Sequence, residues 1–234
     1  MKRKSSDLTE FYIQFLIVVY LLWSFPVLSF GQKEVLVPAD GTVSEGEEQP
    51  VVALTFDDGP SGTSTPVLLE GLRKRGVRAT FFVVGENVEK GENAQILREM
   101  SADGHLIGNH TYHHVNLSKM SAEQAQAELD ATDELVRKIT GKYPIYARAP
   151  YGEVPENGDV DRQRFYIGWT VDPLDWMTDD AGAVVKTVVE EINPGDVILL
   201  DDCYPSSVQA AIRIVDLLQG KGYEFVTVDH LIMD

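Results

Sequence analysis

The sequence predicts an α/β fold: a distorted, incomplete (β/α) barrel of about seven parallel strands. Three observations carry this expectation. From Val51 onward, short apolar runs alternate with amphipathic helical patterns, and that alternation builds a parallel sheet covered by helices. The strand-like runs number about seven, short of the eight in a regular barrel. Asp57, Asp58, His110, Arg148 and Asp201 fall at the C-terminal ends of those runs, where sheets of this kind gather function.

The chain opens with Lys2, Arg3 and Lys4, followed by an apolar stretch from Phe11 to Phe30 broken only by Gln14, Ser24, Pro26 and Ser29. About 20 apolar residues can span a bilayer, and basic residues on the short side keep that end in the cytoplasm. Residues 1–30 are therefore expected to form a signal anchor or a cleaved signal peptide. Either puts the rest of the chain outside the cytoplasm, membrane-anchored or secreted. Residues 31–49, with Gly, Pro, Ser and a Glu run, read as a flexible stem, and residues 50–234 as the folded domain.

Within the domain, strands are expected at Val51–Asp57, 79–84, Leu106–Asn109, 145–148, 166–170, 196–201 and 224–228. Helices are expected at Thr65–Arg75, 93–103, 121–140, 181–192 and 206–219. The third helix has a capping-box start at Ser121 and Gln124 and a stop at Gly141. Residues 155–164 are too polar for an element, and there is no internal repeat.

Composition narrows the class. The 234 residues are 44% hydrophobic and 24% charged, ordinary for a globular protein. A formal net charge of -17 suits a solvated surface and disfavours nucleic acid as a partner. The single cysteine, Cys203, excludes an internal disulfide, which fits a bacterial exported domain that relies on its core.

Two strings carry chemistry. Thr55-Phe56-Asp57-Asp58-Gly59-Pro60 ends an apolar run in two adjacent carboxylates. His110-Thr111-Tyr112-His113-His114 places imidazoles four residues apart, a spacing that lets them meet on one face of a helical turn. One Asp and two His form a three-ligand set for a catalytic zinc-like ion with a coordination position left open. The other Asp, pointing elsewhere from the strand end, is free to act as a base. That combination points to metal-assisted hydrolysis.

Together with Arg148-Ala149-Pro150-Tyr151-Gly152 and Val171-Asp172-Pro173-Leu174-Asp175-Trp176, these strings resemble the successive motifs of the NodB-type polysaccharide deacetylases, carbohydrate esterase family 4. The resemblance runs from Val51 to the C-terminus in the family's order. It implies a distorted barrel that removes acetyl groups from glycans, peptidoglycan or chitin-type oligosaccharide being the expected substrate class. It implies Asp58, His110 and His114 as metal ligands and Asp57 as general base, held and tuned by Arg148. The backbone N–H of Tyr151 would help stabilise the oxyanion, and Trp176 and Leu199 would wall the acetyl-methyl pocket. His113 falls at a variable position of the motif and is expected to face solvent or support the ligands. Asp with two His suits zinc, and also accommodates cobalt, nickel or manganese.

One position departs from the family pattern. Val197-Ile198-Leu199-Leu200 ends in Asp201-Asp202, where the family has a histidine followed by aspartate. That histidine would protonate the leaving amine, and losing a general acid costs about 10²–10⁴ in rate. Three expectations follow. Asp201, among Asp175 and other carboxylates, has a raised pKa and serves as the acid. Alternatively the substrate is an O-acetyl ester, whose alkoxide leaves more easily. Or the domain binds glycan with little turnover.

Overall fold

A computed structural model describes residues 49–154 and 164–233. The expectations for residues 1–30, for residues 31–48 of the stem and for polar residues 155–163 lie outside the described residues. Among the described residues, no helix is long and apolar enough to cross a membrane.

Among the described residues the strands are β1 (Val51–Asp57), β2 (Thr80–Val83), β3 (Leu106–Asn109), β4 (Tyr146–Ala147), β5 (Phe165–Tyr166), β6 (Val197–Asp201) and β7 (Glu224–Val226). They form one parallel sheet in the order β5-β4-β3-β2-β1-β6, and β7 pairs with β1 beside that path. A single bridge between Val171 and Ile198 returns the chain from beyond β5 to β6. The sheet is thus a curled, incomplete barrel, as the alternation of elements implied.

Strand period 2 divides β1 cleanly. Val52, Leu54 and Phe56 belong to the main core under the helices. Ala53, Thr55 and Asp57 face the barrel interior, where Ala53 packs with Phe82, Tyr146, Ile167 and Val228. In β6, Ile198 and Leu200 join the main core, while Leu199 and Asp201 lie in register with Thr55 and Asp57. A polar column therefore climbs one inner face and ends in two neighbouring carboxylates at the mouth.

The covering helices are α1 (Thr65–Arg75), α2 (Gly85–Glu89), α3 (Asn93–Ala102), α4 (Ala122–Thr140), α5 (Ala181–Glu191), α6 (Pro205–Gly220) and α7 (Val228–Met233). Apolar faces such as Leu68, Leu69 and Leu72 of α1 and Ile214, Val215 and Leu218 of α6 seal the main core. The capping box at Ser121 forms in both directions, and Gly141 closes α4 at φ 77°.

Several boundaries differ from the sequence reading. Strands expected over 145–148 and 166–170 shrink to two residues each. Just beyond these strands Arg148 still donates its backbone N–H to the Asn109 carbonyl, while its side chain points inward to the Gly168 carbonyl. Helix α2 is too short to show a helical period, and α7 begins where the last strand was expected to end.

Candidate metal centre

Every expected site residue on the strand ends meets at one mouth of the barrel. Asp58 turns away from Asp57 at φ 69°, and the Asn87 amide holds its backbone carbonyl at 2.6 Å. His110 Nε2 lies 3.5 Å and His114 Nε2 3.2 Å from Asp58 Oδ1. The imidazole centroids are 5.0 Å apart.

The two histidines do not share a helical face, contrary to the expectation from their spacing. Residues 110–114 form an irregular loop, with Thr111 at φ 63° and His114 at φ 54°. Left-handed residues fold the loop back on itself, so the rings converge without a helical turn. Among the described residues, the non-glycine residues at positive φ, namely Asp58, Thr111, His114, Tyr151 and Leu174, lie in the loops around this mouth. Such strain persists only where surrounding contacts over-determine it.

The donor chemistry fits a cation. His110 Nδ1 sits 2.7 Å from the Arg148 carbonyl, which can only accept, so Nδ1 carries the proton and Nε2 offers a lone pair. Burial holds the His110 pKa down at about 4, which keeps the ring neutral. Asp58 Oδ1 is buried and receives no hydrogen bond among the described residues. Asp58 Oδ1 and the His110 Nε2 lone pair face each other at 3.5 Å and would repel, and a divalent ion resolves that repulsion. Asp58, His110 and His114 also form a group whose ligand atoms lie within 4.8 Å of one another.

Asp57 stands beside this set. Arg148, itself 1% exposed, donates from Nη1 to Asp57 Oδ1 at 2.8 Å and to Thr55 Oγ1 at 2.8 Å. Its remaining nitrogens reach the Ile167 and Gly168 carbonyls, and Phe82 lies under the guanidinium at 4.3 Å. Burial raises the Asp57 carboxyl to about 6, against the opposing pull of Arg148. At neutral pH it is ionised yet near the pKa that suits a general base.

Across the mouth, Asp201 is buried, and its backbone N–H donates to Asp175 Oδ2 at 2.9 Å. Burial first, then Asp175, Asp58, Asp57 and Asp202, push the Asp201 carboxyl up to about 9. Asp202 points the other way, accepting from the Thr65 hydroxyl at 2.6 Å under Gly59.

Tyr151, at φ 63°, packs edge-on against His114 with centroids 4.9 Å apart. Trp176 is exposed on a 3-10 turn after Leu174, and Leu199 is buried on the inner face of β6. His113 is half exposed and bonded to Glu128. Sequence reasoning missed Glu128, Asn109 and Thr65. They are ordinary polar residues, and the contacts of Glu128 with the histidine loop and of Thr65 with Asp202 bridge residues distant in sequence.

The polysaccharide deacetylase family model matches residues 44–163. A peptidoglycan-N-acetylglucosamine deacetylase of Bacillus cereus is 38% identical over 187 residues, covering 77% of this chain and 67% of that protein. Some curated relatives are much longer: the match spans 38% of a peptidoglycan-N-acetylglucosamine deacetylase of Listeria monocytogenes, with 77% of this chain covered at 35% identity. The structure of the peptidoglycan deacetylase PdaC from Bacillus subtilis superposes with a TM-score of 0.76 at 34% identity, over 80% of this chain and 91% of that one. A family 4 acetyl xylan esterase from Clostridium thermocellum, in complex with a cobalt ion, gives 0.73 at 33% identity, over 78% and 90%.

Proposed function

The chain belongs to the polysaccharide deacetylase family, and on that premise we propose that it hydrolyses N-acetyl groups on N-acetylglucosamine-containing cell-wall polymer, with peptidoglycan as first choice and chitin-type oligosaccharide as second. The observation that carries this reading is the pairing of a cation-ready Asp58–His110–His114 set with an adjacent, arginine-held Asp57.

Asp58, His110 and His114 would hold the ion, and zinc suits this donor set best. When bound, a divalent cation supplies a Lewis acid for the acetyl carbonyl and lowers the pKa of water. Asp57 takes the proton of the attacking water, and Arg148 keeps its carboxylate aimed and ionised. The Tyr151 N–H faces the developing oxyanion, and Trp176 and Leu199 flank the acetyl methyl. Asp201, protonated at neutral pH, gives its proton to the leaving amine, and Asp175 holds it from behind.

The relatives' cell-wall substrates and the apolar N-terminal stretch support an extracytoplasmic, membrane-anchored or secreted location. A second reading, glycan binding with weak turnover, is favoured by one observation, the carboxylate at 201 in place of the family's histidine. Acetate release from peptidoglycan, chitin oligomers and acetylxylan, each with zinc and with chelator, separates the readings. Zinc-dependent release from an N-acetyl polymer is expected. Release from acetylxylan alone would identify an O-acetyl esterase. Retained zinc and glycan binding without release would identify a binding domain.

A further inference from the structure

The strained loop between the two histidines is clamped from α4 by the Glu128 side chain. Glu128, in the second turn of α4, reaches residues 112 and 113 with both carboxylate oxygens. Oε2 accepts from the backbone N–H of Tyr112 at 3.1 Å and of His113 at 2.9 Å. Oε1 pairs with His113 Nδ1 at 2.8 Å. The carboxylate is mostly enclosed, with the side chain 14% exposed. A charged acceptor shared by two successive amides is a strong, directional clamp.

Other contacts fix the rest of the loop but not this stretch of amides. Asn109 Oδ1 accepts from Thr111 N at 2.7 Å, and Thr111 Oγ1 accepts from Val115 N at 3.2 Å. The Thr111 and Tyr112 carbonyls accept from Gly85 and Glu86 of α2. Without Glu128, the Tyr112 and His113 amides lose their acceptor, in the segment that must bend between left-handed Thr111 and His114.

We propose that Glu128 is a positioning residue for the metal centre, holding the 111–114 loop so that His110 and His114 both face Asp58. This rests on the metal-centre reading above. Residues that orient ligands without touching the ion typically contribute 10–100-fold to metal affinity.

The test is zinc affinity by competition with a chromophoric chelator, with thermal unfolding of the metal-free protein in parallel. Glu128→Ala should weaken zinc binding at least tenfold, while the metal-free midpoint moves by no more than a few degrees. His113→Ala should stay within threefold of the parent, because both backbone bonds to Glu128 remain. Glu128→Gln keeps one carbonyl acceptor but no charge, and should fall between the parent and Glu128→Ala, at least threefold weaker than the parent. Affinity of Glu128→Ala within threefold of the parent overturns the proposal. Should Glu128→Ala fail to fold, parent-like affinity in Glu128→Gln overturns it instead. A parent protein that binds no divalent ion overturns the metal-centre reading itself, an outcome distinct from equal binding by parent and variant.

Discussion

Replacing Asp201 by asparagine keeps the side chain's shape and removes its transferable proton. The structure sets the size of the expected effect. A carboxyl at its ordinary value of 3.8 is protonated in only about one molecule in 1,600 at pH 7, too few to serve as an acid. Held up to about 9, it is protonated in about 99 of 100. A cation at Asp58 opposes the carboxylate repulsion and lowers that value, but burial, the largest cause, remains.

Asp201→Asn should therefore lower kcat for acetate release from chitin oligomers by about 10²–10⁴, with zinc affinity unchanged. The parent's rate should fall on the alkaline side as Asp201 ionises, and the variant should lack that limb. Asp201→His supplies the control. If Asp201 already acts as the acid, the gain stays below about threefold; a rise of an order of magnitude or more means the parent lacks a working acid. Asp201→Asn within threefold of the parent on N-acetyl substrates would refute the assignment.

Four further outcomes are expected. Arg148→Met leaves Asp57 buried without its cation and strands two carbonyls; breaking such a pair costs about 3–5 kcal/mol, read as a lower unfolding midpoint. The same change removes the main influence lowering the Asp57 pKa, so the acid limb of the rate profile should move upward from about 6, and an unmoved limb contradicts the Asp57 assignment. Gly59→Ala would place a methyl 2.1 Å from Asp202 Oδ1, costing about 1–3 kcal/mol and weakening metal binding; adding Asp202→Ala should recover much of the loss, and a single variant as stable as the parent would show that the loop yields freely. Metal-free protein should lose stability between pH 7 and 9: the folded state keeps the Asp201 proton to about 9, the unfolded state has lost it by about 5, so unfolding releases a proton throughout that window. The slope is about 1.4 kcal/mol per pH unit, so two units should lower the midpoint by roughly 5–10 °C, and Asp201→Asn should flatten the decline.

How far the sequence reveals this site depends on how local the determinants are. Period 2 in β1 and β6 already separates Leu54 and Phe56 from Thr55 and Asp57, and Leu200 from Leu199 and Asp201. The same rule puts Asp202 on the face opposite Asp201, where it braces Thr65 and leaves the mouth alone. The histidine loop is different. A spacing of four is compatible with a helix, and only Asn109, Glu128 and the α2 amides force the left-handed geometry that brings the rings together. Those partners come from three elements, so no window of sequence contains them. The short strands β4 and β5 carry the same lesson: the partners that draw the Arg148 side chain inward, Thr55 and Asp57, lie more than ninety residues earlier. The sequence thus exposes ligands and strand faces, while the contacts that pre-organise them emerge only from tertiary structure. Glu128 is where activity should prove sensitive to substitutions that touch neither substrate nor ion.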